Sequence, residues 1–452
     1  MPYTQNRIKQ SIFLIFCTNF ILSYRFAAGL TRKAFRKTKT MQNQQNLRIK
    51  AALFINYFVF AILLNSVGIV ILKSIKVYRV DEVAASALEL FKDMPIAIVS
   101  FLTASFLPRI GYKNSMLIGL AIVFFACIGM YFGNSFWSAK LLFAAVGVSF
   151  ALIKVSVYST IGLVTETKAE HNSLMSNIEG FFMFGIALAY FLFPAFNSEN
   201  DPNAWLNVYW LLAGLSALSF LFLWFSEFEQ PVIPGSNIAE DFAEMIMLLG
   251  RLLVLVFIIS AFLFVMVEQG IMTWLPTFNE RVLDLPENTA IMMASILAIS
   301  LGVGRFIAGI MSRYFSWFWV LVGCLAGAMA MVIFVLPQAV TAQVGEINSV
   351  ADIPLIGFAF PIIGLFIAPI YPLINSVVLS ALDKRLHSPM SGLIIIFSAI
   401  GGTLGSRLIG YLFKNVGAET AFSYTLIPLG GLLLALFALY RLTVYEESQT
   451  PK

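Results

Sequence analysis

The sequence predicts an all-α membrane protein with twelve transmembrane helices, six on either side of one polar interruption, and three observations carry that prediction. Of 452 residues, 59% are apolar or aromatic and only 12% are charged, with a mean hydropathy of +0.86; an ordinary soluble domain carries roughly 25% charge. Apolar runs of helical span length repeat from residue 50 onward without period-2 alternation, and about 20 such residues cross a bilayer core of about 30 Å as helix. The stretch 226–246 (SEFEQPVIPGSNIAEDFAEMI) holds five acidic residues and no basic ones, and it falls after the sixth run. This composition excludes a soluble enzyme. The net charge of +5 does not make a nucleic-acid footprint, because ten of the 29 Lys and Arg lie in the first fifty residues and the rest are scattered between apolar runs.

The spans fall at 51–72, 83–107, 115–133, 137–164, 173–197, 206–225, 252–274, 289–311, 317–337, 354–381, 389–413 and 421–441. Lys73, Lys76 and Arg79 close the first span, Arg109, Gly111 and Lys113 separate the second from the third, and Asn134 parts the third from the fourth. Lys168 precedes the fifth and the NSENDPN turn the sixth. Arg251 ends the polar stretch before the seventh; Arg281, Arg313, the polar run after 341, Lys384 with Arg385, and Lys414 then punctuate the second set, with Arg441 beyond the twelfth. With the residue-50 side cytoplasmic, inside segments hold nineteen Lys and Arg against six outside, which orients both termini inward in the cytoplasmic membrane. The expected units are a basic segment 1–50, a six-helix bundle 51–225, a cytoplasmic linker 226–251, a second bundle 252–441 and a tail 442–452. Residues 1–40 contain SIFLIFCTNFILSYRFAAGL followed by TRKAFRKTKT. A thirteenth helix there would put this basic tail outside, so these residues are expected to be a translational extension ahead of Met41.

Cys17, Cys127 and Cys324 stand alone in apolar runs, and His171 and His387 sit in expected loops. No metal site, disulfide framework or intramembrane histidine chemistry is expected from them. The Gly-rich stretches lack GKS or GKT, so no ATP site is expected and no cofactor is implied.

Two loops carry a repeated motif. Residues 104–117 read ASFLPRIGYKNSML and residues 304–315 read GRFIAGIMSRYF, at equivalent places after the second and eighth spans. Both resemble the G-x-L-A-D-R-x-G-R-K loop of the major facilitator superfamily, through Arg109, Gly111 and Lys113 in the first copy and Gly309 and Arg313, with Gly304-Arg305 upstream, in the second. The resemblance implies the major facilitator fold of two six-helix bundles, with these loops packing and reorienting helices at the cytoplasmic face. A narrower resemblance lies in the seventh span, where FLFVMVEQGIMTWLPTF is similar to the Y-V-G-A-E-x-x-I-x-x-W-L stretch of fucose permease-like sugar:proton symporters through Glu268, Ile271, Trp274 and Leu275. The tenth span, GLFIAPIYPLINSVVLSAL, is similar in its start and its Pro- and Asn-bearing middle. The chain departs from that family at Lys154, where an acidic residue would fall, at Glu179 in place of Gln, and at Phe182 in place of Asn.

An intramembrane charge costs several kcal/mol unless it is paired or faces a wet cavity, so the few charges inside spans are the first candidates. Asp93 lies near mid-depth of the second span, roughly 20 Å from its inner end. Lys92 pairs with Glu89 one turn earlier, leaving Asp93 as a protonation or substrate site or, alternatively, a polar clamp between helices. Lys154 and Glu179 lie on antiparallel neighbours at depths about 6 Å apart and are expected to pair. Such a pair is either a proton-sensitive switch or a static bridge. Glu268 and Arg407 fall on spans that adjoin in the superfamily and are expected to form an outer-gate ion pair, with Glu268 a proton-coupling candidate beside Asp93 and Glu179; Arg305 is expected to be structural. Asn56, Asn65, Gln269, Trp274, Tyr371 and Asn375 lie on spans that line the central cavity in the superfamily, where amides bond hydroxyls and aromatics cover an apolar face. The other reading of such residues is helix-packing hydrogen bonding. Pro361, Pro369 and Pro372 with Gly364 mark the tenth span as bent.

The function these residues point to is secondary active transport of a small polar solute, a sugar or sugar derivative among the candidates, by alternating access and coupled to proton uptake. The implied partners are the solute, protons and the lipid bilayer, with no nucleic acid, and the chain is expected to act as a monomer. Proton-driven efflux of amphipathic compounds is the second reading, and a membrane-embedded enzyme a remote third.

Overall fold

The computed structural model describes residues 46–449 except 166, 199, 227–237, 342–352, 354 and 383–385; the extension expected over 1–40 lies outside them. The described residues contain no strand, and eleven of their helices are long and apolar enough to cross a membrane. These are α1 (Asn46–Asn65, continued past Ser66 as Val67–Val77), α3 (Tyr112–Gly133), α4 (Phe136–Leu163), α5 (Lys168–Ala195), α6 (Ala204–Trp224), α7 (Leu252–Arg281), α8 (Glu287–Met311), α9 (Trp317–Thr341), α10 (Leu355–Val378), α11 (His387–Asn415) and α12 (Ala418–Thr443). Between α1 and α3 runs α2 (Ala87–Ile110), 24 residues long, whose first two turns carry Glu89, Lys92 and Asp93.

Local chemistry fixes the ends. Ser135 caps α4 in a reciprocal box with Ser138, and Thr167 caps α5 by accepting from the Glu170 amide at 3.1 Å, each supplying an acceptor that the first helical turn lacks. Between α2 and α3 the chain reverses in one residue, Gly111, at φ 84°, a left-handed conformation open to glycine at no cost. α7 continues past the expected end at 274 to Arg281, because Pro276 is carried inside the helix and Trp274 and Phe278 stay buried on its packed face. α10 is broken as its prolines predict: a 3₁₀ turn covers Phe360–Ile363, and the helix resumes after Pro369 as Ile370–Ala381. α9 contains a π-helical turn, Met331–Val335. The acidic stretch after α6 includes a helix, Ile238–Leu249, that buries Met245 and Leu248 and leaves Ile246 and Met247 exposed.

Helices of the first half of the chain pack mainly on one another, as do those of the second. The main contacts that join the halves are α2 on α11, α5 on α8, and the Val67–Val77 part of α1 on α7, with the short helix Glu82–Ala85 also against α11. The α1–α7 contact is a close backbone crossing, since a Cβ on Gly68 would stand 2.4 Å from the Thr273 carbonyl oxygen. The Tyr78 end carries the α1–α2, α7–α8 and α11–α12 connections; the Gly111 end carries the α2–α3, α4–α5 and α8–α9 connections.

Candidate functional site

A belt of polar side chains lies where the two halves meet, built from the charges that the apolar helices carry. On α2, Lys92 Nζ is 2.5 Å from Glu89 Oε1 and 3.6 Å from Asp93 Oδ1, and all three residues are buried. The short helical spacing makes the Glu89 pair, as expected. The Asp93 carboxylate reaches across to α11, where a Cβ on Gly402 would be 2.8 Å from Asp93 Oδ2 and 3.2 Å from Gln269 Cγ. Only the missing side chain at 402 lets α2, α7 and α11 bring these polar groups together. Asp93 is six residues into α2, about 9 Å from the start of the helix, nearer the Tyr78 end than the expected mid-depth because α2 extends to Ile110.

Glu268 and Arg407 do not pair. Glu268 Oε1 lies 3.9 Å from Arg305 Nη2 on α8, while Arg407 is exposed on the other side of α11. Packing decides this: Cβ atoms on Gly401 and Gly405 would meet the Phe262 and Met266 carbonyls at 2.4 and 2.2 Å, so the face of α11 held against α7 is the glycine face, and Arg407 points away from it. Arg305 also donates to Met183 Sδ of α5 at 3.6 Å, which carries the belt into the first half. One turn from Met183, Glu179 accepts from the Tyr158 hydroxyl at 2.6 Å.

The expected ion pair between Lys154 and Glu179 is likewise not formed within 4.0 Å. Lys154 and Tyr158 stand one turn apart on α4, and the phenol takes the carboxylate while the Lys154 ammonium lies 5.7 Å from the Phe150 ring centre, exposed. A neutral donor satisfies the acid without desolvating a second charge. Tyr57 (α1) and Phe182 (α5) flank the site, their rings 5.6 Å apart, with Tyr57 6.1 Å from Tyr158.

The neutral candidates divide. Gln269 and Tyr371 belong to the belt region, Tyr371 stacking on Phe264 at 5.5 Å with its hydroxyl 3.3 Å from Ser398 Oγ, and Asn375 Oδ1 is buried with no hydrogen-bond partner among the described residues. Asn56, Asn65 and Trp274 are tied into packing. Asn56 accepts from Ser219 at 2.7 Å inside the first half, Asn65 donates to the Ala61 carbonyl at 2.8 Å, and the fully buried Trp274 indole donates to the Ser406 carbonyl at 2.8 Å. In the loop motifs, Lys113 donates to the Trp224 and Ser226 carbonyls at 3.1 and 2.5 Å, holding the start of α3 against the end of α6. Gly309 has open space around it and Arg313 is exposed; the Arg109 side chain lies outside the described residues.

A second cluster was not foreseen from sequence. At the Tyr78 end Lys73 pairs with Glu287, Lys76 with Glu280 at 3.0 Å and Glu287 at 3.1 Å, Arg281 with Glu82 at 2.5 Å, and Lys414 with Asp81 at 3.1 Å. Each joins the first half to the second, as does the Asn197–Asn288 contact. Every ion pair between described side chains that crosses the halves is at this end. Asp81 also caps a short helical turn, and that hydrogen bond from the Ala84 amide, followed by Lys414, holds its carboxyl below the ordinary value. The signal was present in the sequence as the mixed signs of these loops, Lys73, Lys76, Asp81 and Glu82 in one and Glu280, Arg281 and Glu287 in the other, which orientation counting reduces to a sum of Lys and Arg. Among the described residues no group of His, Cys, Asp and Glu is placed to hold a metal ion.

Comparison with known proteins agrees with this architecture. The family model described as Major Facilitator Superfamily matches residues 49–406. No curated protein matches the chain. Among solved structures, the chain is similar to a bacterial homolog of the human lysosomal transporter Spinster, in an inward-facing and unoccupied conformation, at 14% identity and a TM-score of 0.64, covering 90% of this chain and 98% of that one. It is similar to the nucleoside transporter NupG, in a mutant form, at 15% identity and 0.66, covering 88% and 99%, and to a D-xylose-proton symporter at 13% identity and 0.59, covering 87% and 96%.

Proposed function

The chain belongs to the Major Facilitator Superfamily, a family of transporters and not enzymes, and on that premise we propose that it moves a small polar solute across the cytoplasmic membrane by alternating access, with proton uptake as the driving step. The proposed architecture is twelve spanning helices in two six-helix bundles, 51–225 and 252–441, joined by a cytoplasmic linker with both termini inside. α2 supplies the twelfth span. In that orientation the Tyr78 end faces outward, and its ion pairs close the outer side.

The observation that carries proton coupling is the state of the belt carboxylates. Glu179 is held by a neutral phenol, Asp93 has only a 3.6 Å contact to a lysine already bound to Glu89, and Glu268 has a partner at 3.9 Å. None is locked in a tight ion pair of its own, and a carboxylate in that condition exchanges a proton when the cavity changes its access. A membrane potential worth about 2.3 kcal/mol per charge per 100 mV then drives accumulation. The D-xylose-proton symporter and the nucleoside transporter among the similar structures support a polar, hydroxyl-bearing solute as the first class to test, and the amides of Gln269 and Asn375 suit it.

The test uses purified protein in vesicles without a potential. A thermal-shift screen of hexoses, deoxy and amino sugars, nucleosides and small peptides selects the solute, and its addition should alkalinise the medium. Asp93→Asn or Glu179→Gln should abolish the proton signal and spare solute exchange; unchanged proton movement in both variants removes these carboxylates from the coupling step.

A further inference from the structure

At the Tyr78 end a groove of about 470 Å³ opens between the start of α2, the start of α4 and the last turns of α11. Its polar wall is Lys140, Arg407, Tyr411, Lys414 and Asn415, with one acid, Asp81. That acid is already committed, accepting from the Ala84 amide at 2.7 Å and from Lys414 at 3.1 Å. Arg407 and Lys140 have no carboxylate within ion-pair distance among the described residues. The Lys140 ammonium is instead held 4.4 Å from the Trp137 ring centre, 4.5 Å from Phe136 and 5.6 Å from Phe91, an arrangement that fixes the cation over aromatic faces and supplies no negative charge to cancel it. Three cations thus meet one satisfied acid.

The depth of these cations identifies what neutralises them. Arg407 is eight residues before the last residue of α11, about 12 Å below the helix end, where an uncompensated guanidinium is expensive. The flanks of the groove are apolar and outward-facing: Leu404 and Leu408 beside Arg407, and Leu141 beside Lys140, are exposed, and Trp137 and Tyr411 at the mouth are 67% and 53% exposed. Tryptophan and tyrosine at such a level mark the membrane–water boundary. A dissolved anion would have to leave water to reach Arg407, whereas a lipid phosphate resides at this level and its chains lie along exposed leucines. We propose that this groove is a binding site for an anionic phospholipid, with the headgroup phosphate on Arg407, Lys414 and Lys140 and an acyl chain against Leu404 and Leu408. Because Lys414 is shared with Asp81, a bound headgroup competes for one of the ion pairs that join the halves.

Full-length protein released from mixed phosphatidylglycerol and phosphatidylcholine micelles into native mass spectrometry gives the test. Phosphatidylglycerol should be retained in preference to phosphatidylcholine. Arg407→Gln and Lys140→Gln should each weaken retention by about fivefold, the size of one surface cation acting on an anionic lipid, while Arg407→Lys should keep most of it. The melting temperature of each variant, taken alongside, separates loss of the site from loss of the fold. Equal retention of the two lipids, or unchanged retention in Arg407→Gln, overturns the proposal. So does displacement of the lipid by millimolar glycerol phosphate, which would make the groove a site for soluble anions.

Discussion

At the Tyr78 end the two halves of the chain are joined by side chains of opposite sign, Lys73 and Lys76 against Glu280 and Glu287, Glu82 against Arg281, and Asp81 against Lys414. At the Gly111 end the corresponding bonds stay inside one half: Lys50 pairs with Glu170 at 2.7 Å, joining α1 to α5, and Lys113 fastens α3 to α6 through two carbonyls. Of the first kind, the Lys414–Asp81 pair is exposed on both sides and can be exchanged for water at small cost, roughly 0–1 kcal/mol, whereas Lys73–Glu287 is the most shielded of them. The second makes each half move as a unit. A closure assembled from several separate pairs across the halves is suited to opening and closing, because a ligand that binds one state better shifts the balance between them.

The sharpest way to break this difference is at Lys73, whose side chain is 7% exposed and whose partner Glu287 is 23% exposed. Lys73→Glu sets two carboxylates together in a poorly hydrated place, an effect of roughly 3–5 kcal/mol. Spin labels on Arg79→Cys and Val416→Cys should then report a wider separation of the halves, and Glu287→Lys in the same chain should restore it. A failure of the double variant to recover would show that the closed end does not depend on the sign of these charges. Next in size is Gly402→Ala. The added methyl meets Asp93 Oδ2 at 2.8 Å, and overpacking of this kind costs about 1–3 kcal/mol. The same label pair should widen, with the melting temperature lowered, whereas Gly309→Ala, in open space, should change neither.

The smallest expected effect is that of pH on Asp81. Its folded-state value is depressed, so its contribution is present above the ordinary carboxylate value of 3.8 and is lost as pH falls through the lower folded value. The label distance should lengthen slightly only below about pH 4, and Asp81→Asn should remove that dependence. A transition near pH 6 would assign the closure to other groups.

How far the sequence reached follows from what each inference needs. Span positions depend on local hydropathy and turn residues, and eleven of the expected spans coincide with helices long and apolar enough to cross a membrane, while the second falls on α2, whose first two turns carry three charges. The Lys92–Glu89 pair was legible because helix geometry fixes a three-residue spacing. Glu268 and Arg407 have compatible depths, but depth says nothing about rotation, and it is the glycine seam at 401 and 405 that turns Arg407 outward. Lys154 and Tyr158 present themselves to Glu179 from the same face of α4, so the choice between them rests on desolvation, which the sequence does not display. Asn56 and Trp274 look like cavity residues by span number and are packing residues by rotation about their helices. The closing pairs at the Tyr78 end join residues about 200 positions or more apart, and pairing over that distance exists only once the halves are docked.

The crossing of α1 and α7 at Gly68 sets the leverage between the two ends. Gly68 lies eight residues before Lys76 and 22 after Asn46, about 12 Å and about 33 Å along the helix. If the contact with Thr273 serves as fulcrum, a tilt of about 10° displaces Lys76 by about 2 Å, enough to part a 3.0 Å ion pair, and carries the far end of α1 through about 6 Å. The short arm bears the charges and the long arm the travel, so a modest loosening of the pairs at one end is amplified nearly threefold as displacement at the other.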